Sequence, residues 1–158
     1  MYADYAFYTE TFYGTAITEE DFPRLSSRAS DFIDYYTKGK AAKVVKLEEL
    51  DEEPKITPQI KKACCAIAEQ MQLDEQQKQL AALVVSKAYA AASGENPGTP
   101  ERELRSESIG GWSGSYVTAA DYMQQSAADA QKAARAAYAQ IAFEYLANTG
   151  LLYRGGRC

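Results

Sequence analysis

One short stretch of this 158-residue chain departs from the pattern of the rest. Ser106-Glu107-Ser108-Ile109-Gly110-Gly111-Trp112-Ser113-Gly114-Ser115-Tyr116 is punctuated by glycine and β-like, in a sequence that otherwise reads almost wholly helical. An extended segment carries a row of backbone N–H and C=O groups that need a partner strand, and one strand cannot make a sheet. With so little other β signal, another copy of the chain is a candidate source of that strand. The island therefore points to assembly rather than catalysis.

Helical periodicity accounts for most of the remainder. Phe22, Leu25, Ala29, Phe32, Ile33 and Tyr36 fall at steps of three and four, which makes one buried stripe. Thr18-x-x-Asp21 with Ile17 and Phe22 has the form of a capping box inside a hydrophobic staple, Pro23 suits the first turn, and Gly39 is a plausible stop. Residues 44–55 carry Glu48, Glu49, Asp51, Glu52 and Glu53 before Pro54, and read as a solvated acidic connector. Thr57-Pro58 is a good N-cap and N1 pair for a helix with Ile60, Ala63, Cys64, Ile67, Ala68 and Met71 on one face. Helical spacing continues, with a break or bend at Leu73-Asp74, to about Ser93; a Gly/Pro loop over about 93–104 follows and is expected to be mobile. A long helix then runs from about Thr118 to Asn148. Tyr138, Ile141, Ala142, Tyr145 and Leu146 form its stripe, Ala127, Ala130, Ala134 and Ala137 leave room for a close neighbour, and Gly150 is its C′ residue with Leu151 folding back. The fold class is mainly all-α: a small helical bundle, one domain over 1–158, with one long C-terminal helix and a short β-like loop or strand.

The amino-terminal arm, residues 1–16, is crowded with Tyr2, Tyr5, Phe7, Tyr8, Phe12 and Tyr13. It packs on its own domain, or Tyr5 and Tyr8 dock on a neighbour, where a large face with a polar tip is favoured.

Composition removes several function classes. The chain has no histidine, which takes away the usual general base and every Ser-His-Asp or Cys-His arrangement. Asp121 with Glu144 or Glu107 would be the carboxylate pair of an enzyme, but Asp121 and Glu144 are over six turns apart on one helix. Cys64, Cys65 and Cys158 without histidine do not supply a structural zinc site, so they read as idle thiols. The expectation is a non-enzyme with no metal and no cofactor. A net charge of −5 with scattered cations disfavours tight wrapping of DNA. There is no 18-residue apolar run and no signal-peptide pattern at the start, so a cytosolic protein with no membrane partner is expected.

Four ordered segments resemble the phage head–tail connector (adaptor) proteins of long-tailed phages and prophages. They are Tyr5-Ala6-Phe7-Tyr8 with Gly14; Ile17 to Leu25 with Ala29 and Phe32-Ile33-Asp34-Tyr35; Ser106 to Gly110 with Trp112-Ser113 and Ser115-Tyr116; and Tyr145-Leu146 with Thr149 to Gly155. Residues 74–104 depart from that pattern as an insertion. The resemblance implies a structural virion protein that forms a ring of roughly a dozen copies by heterologous contacts. Such a ring assembles in the host cytoplasm and sits at the virion head–tail junction. It lies beneath the portal protein, receives the next head-completion or tail protein, and passes DNA through its lumen without sequence-specific binding. An acidic lumen would not trap the duplex, and the 48–53 run is a candidate for lining it. Ile109, Trp112 and Tyr116 are the expected contacts of the β island, and Leu151, Tyr153 and Arg154 those to a neighbour or the portal. The alternative is a non-catalytic helical adaptor module acting as a monomer or dimer.

Overall fold

A computed structural model describes residues 1–49, 55–92, 106–109, 112–115 and 119–153, with backbone alone for 84–92, 106–109, 112–115 and 119–126. Among these residues the protein is mainly α-helical. α1 is Tyr5–Glu10, α2 is Phe22–Thr37, α3 is Lys40–Glu48, α4 is Thr57–Ala92, and α5 is Ala119–Leu146, closed by a 3-10 turn over Ala147–Thr149. Two strands, β1 (Ser106–Ile109) and β2 (Trp112–Ser115), lie between α4 and α5 in the sequence. Clustering of contacts divides the chain into one unit of Met1–Lys78 with Ala136–Cys158 and a second of Gln79–Arg135.

The first unit is built around three stripes whose spacing the helical period dictates. Phe22, Leu25, Ala29 and Ile33 of α2 are fully buried, with Phe32 and Tyr36 half-buried at the stripe's edge. α4 contributes Ile60, Ala63, Cys64, Ile67, Ala68 and Met71, joined by Cys65, which widens its buried face. α5 contributes Ala142 and Leu146, with Tyr138, Ile141 and Tyr145 half-buried beside them. α4 runs through Leu73-Asp74 as one 36-residue helix, about 54 Å long, so those residues mark no break. Polar contacts tie the same helices: Arg24 reaches both carboxylate oxygens of Glu75 at 2.9 Å, Arg28 shares Glu75, and the Tyr138 hydroxyl donates to Asp74.

The amino-terminal arm belongs to this core. Tyr8, expected among the docking residues, is fully buried, and its ring lies 4.8 Å from that of Phe22 between centroids. Its hydroxyl accepts from the Ala16 N–H at 2.9 Å and the Ile17 N–H at 3.1 Å, and donates to Glu69 at 2.8 Å. One side chain thereby turns the chain back after α1 and ties it to α4. Burial first, then the bond to Glu69, pushes the Tyr8 phenol up to about 12. Gly14 is required by this packing, because a Cβ there would stand 2.0 Å from the Tyr8 ring. Tyr5 is half-buried, with its ring against Tyr8 and Phe22. The arm therefore packs on its own domain, and the docking role expected of Tyr8 is corrected: its hydroxyl and its ring face are already used inside the fold.

Buried hydroxyls hold the first residues to α2. Ser26 donates to the Ala3 carbonyl at 2.8 Å, and Ser30 accepts from the Tyr2 N–H at 2.9 Å while donating to the Ser26 carbonyl at 2.7 Å. The Cys64 thiol sits 3.5 Å from both hydroxyls. Among the described residues no buried side-chain polar atom lacks a partner, as expected of a well-packed core. Cys65 is equally buried, and that burial pushes its thiol up to about 12, which suppresses thiolate chemistry.

Two expectations for residues 44–57 are corrected. Residues 44–48 of the expected connector are helical, part of Lys40–Glu48, because Ala41 is fully buried and Val44 and Val45 pack against the core; residues 50–54 lie outside the described residues. Thr57 does not cap α4 either. The Glu48 carboxylate takes that place, accepting from the Thr57 N–H and hydroxyl, each at 2.7 Å, and from the Ile56 N–H at 3.1 Å. Burial opposes the charge on Glu48, but the bonds from Thr57, Ile56 and Lys55 outweigh it and hold the carboxyl below its ordinary range.

The second unit holds the only described β structure. β1 pairs antiparallel with β2, with Ser106 opposite Ser115 and Ile109 opposite Trp112. The β island thus finds a partner strand within its own chain, β1 against β2, and Gly110-Gly111 between them lie outside the described residues. The side chains of Ile109 and Trp112 lie outside the described residues, as do Tyr116, the 93–104 loop, Arg154 and Cys158. On α5, Ala127 and Ala130 are exposed and Ala134 and Ala137 half-buried.

Removing the Tyr8 hydroxyl strands two N–H groups, so Tyr8→Phe is expected to lower stability by about 1–3 kcal/mol in urea unfolding. Gly14→Ala should cost about 1–3 kcal/mol by forcing the ring aside. Unchanged midpoints would contradict the hub. Glu48 contributes stability above the ordinary carboxylate range, lost as pH falls through its lowered folded value. Glu48→Gln should therefore be less stable by about 1 kcal/mol near neutral pH, and the difference should vanish in acid.

Candidate functional site

Three segments of the first unit converge on a groove of about 270 Å³ lined by Tyr36, Thr37, Lys38, Lys40, Phe143, Leu151, Leu152 and Tyr153. The sequence builds it locally. α2 ends in a left-handed pair, Lys38 (φ 55°) and Gly39 (φ 73°), and the Gly39 N–H returns to the Asp34 carbonyl at 2.8 Å. That reversal lets α3 start at once and leaves Lys38 and Lys40 one residue either side of the turn. The left-handed conformation is costly for lysine and free for glycine, so the bend is specified mainly by Gly39.

The opposite side comes from the end of α5. Gly150 takes φ 73°, as expected of a C′ residue, and Leu151 folds back into the core beside Leu146. Thr149 steadies this turn by donating to the Leu146 carbonyl at 2.7 Å and accepting from the Leu151 N–H at 3.3 Å. The Lys40 ammonium donates to the Tyr153 carbonyl, joining α3 to the carboxy-terminal turn.

Floor and wall differ in burial. Thr37 and Leu151 are buried, the Thr37 hydroxyl donating to the Ile33 carbonyl at 2.8 Å. Phe143 is 52% exposed and Tyr153 70% exposed, so the rim presents aromatic faces to water. Tyr35, beside the groove residue Tyr36 in sequence, is 82% exposed. Lys38 and Lys40 supply cations at the same rim. The groove therefore combines exposed aromatic faces with positive charge at one rim. The titratable groups lining it are Lys38, Lys40, the half-buried Tyr36 and the exposed Tyr153.

Of the residues expected to make contacts, the structure brings Leu151 and Tyr153 to one groove. Leu151 is corrected from a docking residue to part of the floor, because it seals the end of α5. Tyr153 is on the rim. Tyr5 and Tyr8 are elsewhere, in the core contacts of α1 and α2. Tyr36, Lys38, Lys40 and Phe143 were not anticipated. Phe143 carried a readable signal: it is a large apolar residue out of phase with the Tyr138–Leu146 stripe, which forces it outward. Tyr35 is out of phase with the α2 stripe in the same way.

Among the described residues no group of three or more Cys, Asp or Glu is placed to hold a metal ion, and no helix is long and apolar enough to cross a membrane. Glu144 is exposed and accepts from Gln140 at 3.2 Å. No family model, curated protein or solved structure matches the chain.

Because the floor is structural and the wall is not, two substitutions should separate. Leu151→Ala is expected to cost about 2–5 kcal/mol in chemical denaturation, and Phe143→Ser less than about 0.5 kcal/mol. Equal losses would show that the wall is part of the core.

Proposed function

We propose that this protein is a non-catalytic structural subunit that assembles with copies of itself into a closed ring. The observation that carries the reading is the groove between α2, α3 and the carboxy-terminal turn, where Phe143 and Tyr153 stand exposed at 52% and 70%. Exposed aromatics beside a formed pocket are the usual mark of a protein-binding surface.

The ordered resemblance to phage head–tail connectors supports a place for the ring at the junction of head and tail. In this reading it docks beneath a portal protein and receives a head-completion or tail protein. DNA passes through the lumen unread, in keeping with a net charge of −5 and no basic stripe in the sequence. The β hairpin adds a second candidate contact. Among the described residues its backbone ladder is two strands wide, and an outer strand edge is a surface for augmentation.

Native mass spectrometry of the purified chain, with negative-stain imaging of any large species, tests the proposal. A closed assembly of roughly a dozen copies is the expected result, alone or after mixing with the portal. A monomer or a two-fold dimer that ignores the portal would replace the ring with a generic helical adaptor.

A further inference from the structure

We infer that the groove of one copy receives the carboxy-terminal end of α3 of the next copy, with Leu47 as apolar anchor and Glu49 facing Lys38. This inference rests on the ring reading above and names the contact that closes it.

The occupant is identified by complementarity. The groove offers an apolar floor, an aromatic wall and the cations Lys38 and Lys40. A ligand for it needs a branched apolar side chain beside carboxylates. The end of α3 has that composition: Leu47 is 75% exposed, Glu49 is exposed, and the sequence continues with Asp51, Glu52 and Glu53.

The charge order along α3 is also unexplained by the helix itself. Lys40 and Lys43 lie toward its positive end and Glu48 and Glu49 at its negative end, against the helix dipole, while Lys46 in the last turn agrees with it. Glu48 is accounted for by its bonds to α4, and Lys40 by the Tyr153 carbonyl. Lys38 and Glu49 stand at opposite ends of the α3 segment as one exposed cation and one exposed carboxylate, with Lys43 and Lys46 between them.

The same geometry excludes self-occupation. Lys40 lines the groove and Leu47 lies seven residues further along the same helix, about 10 Å away, so the segment cannot fold back onto a groove built from its own first turn. Where this pairing is not returned between the same two copies the contact is heterologous, and its repetition gives a ring when the rotation closes; a returned pairing would give a two-fold dimer instead.

The test uses the full chain and a charge exchange. Lys38→Glu places two carboxylates together, and Glu49→Lys places two ammonium groups together. Each variant alone should self-associate about tenfold more weakly than the unaltered chain in sedimentation velocity at low salt. An equimolar mixture should recover assembly, because alternating copies restore one Lys–Glu pair at every junction. Leu47→Ser should weaken assembly without rescue by either partner. All three positions are exposed, so melting temperatures should be unchanged, which separates lost docking from misfolding. Assembly of Lys38→Glu and Leu47→Ser at the level of the unaltered chain would overturn this contact while leaving the ring intact. Loss of portal capture with normal self-assembly would overturn it too, giving the groove to the portal. A chain that never self-associates, with or without the portal, would overturn the ring and the contact together.

Discussion

Burial of the Tyr8 ring, with its hydroxyl fully used, is the interaction on which the first unit depends. The ring fills the space between α1 and α2, and the hydroxyl gathers Ala16, Ile17 and Glu69. Without that hydroxyl the turn between α1 and α2 has two N–H groups with no acceptor, and leaving such groups unpaired costs more than the bonds themselves gain. Gly14 exists to let the ring approach. Once the arm is fixed, Ser26 and Ser30 can hold residues 2 and 3 along α2, and the remaining face of α2 is set against α4 and α5. The same helix supplies Tyr36 and Thr37 to the groove.

Legibility divided along a physical line. Stripes that repeat at the helical period were readable: Phe22 to Ile33, Ile60 to Met71 and Ala142 with Leu146 all lie where their spacing puts them. Terminal signals that depend on one residue's backbone also read correctly, Gly150 above all. What failed were features that need a distant partner. Glu48 looked like one solvated carboxylate among several, and only the fold brings the start of α4 to it. Thr57 looked like a cap because its sequence context permits one, but its hydroxyl donates to Glu48, whose charge also takes the Ile56 and Thr57 N–H groups. Tyr8 looked like a docking aromatic because composition cannot tell a ring buried in its own domain from one awaiting a neighbour.

The β island shows the same limit from the other direction. Its strand character was readable from Ser106–Ile109 and Trp112–Ser115, but pairing across Gly110-Gly111 makes it a hairpin rather than a lone strand. The argument for assembly therefore moves from the island to the groove. There the informative residues, Tyr35 and Phe143, are those that break the helical stripe, and a large apolar side chain out of phase is a cheaper guide to a contact surface than aromatic density.

The central claim is that one surface of this chain meets a different surface of the next, in a closed series. Cysteines at positions 38 and 49, Lys38→Cys with Glu49→Cys in a Cys158→Ser background, would capture it, because Cys64 and Cys65 are buried and do not compete. Under mild oxidation the account predicts a ladder of covalent oligomers that stops at one ring-sized band, with each single variant remaining uncrosslinked. A ladder that is missing, or dimers from either single variant, would contradict it.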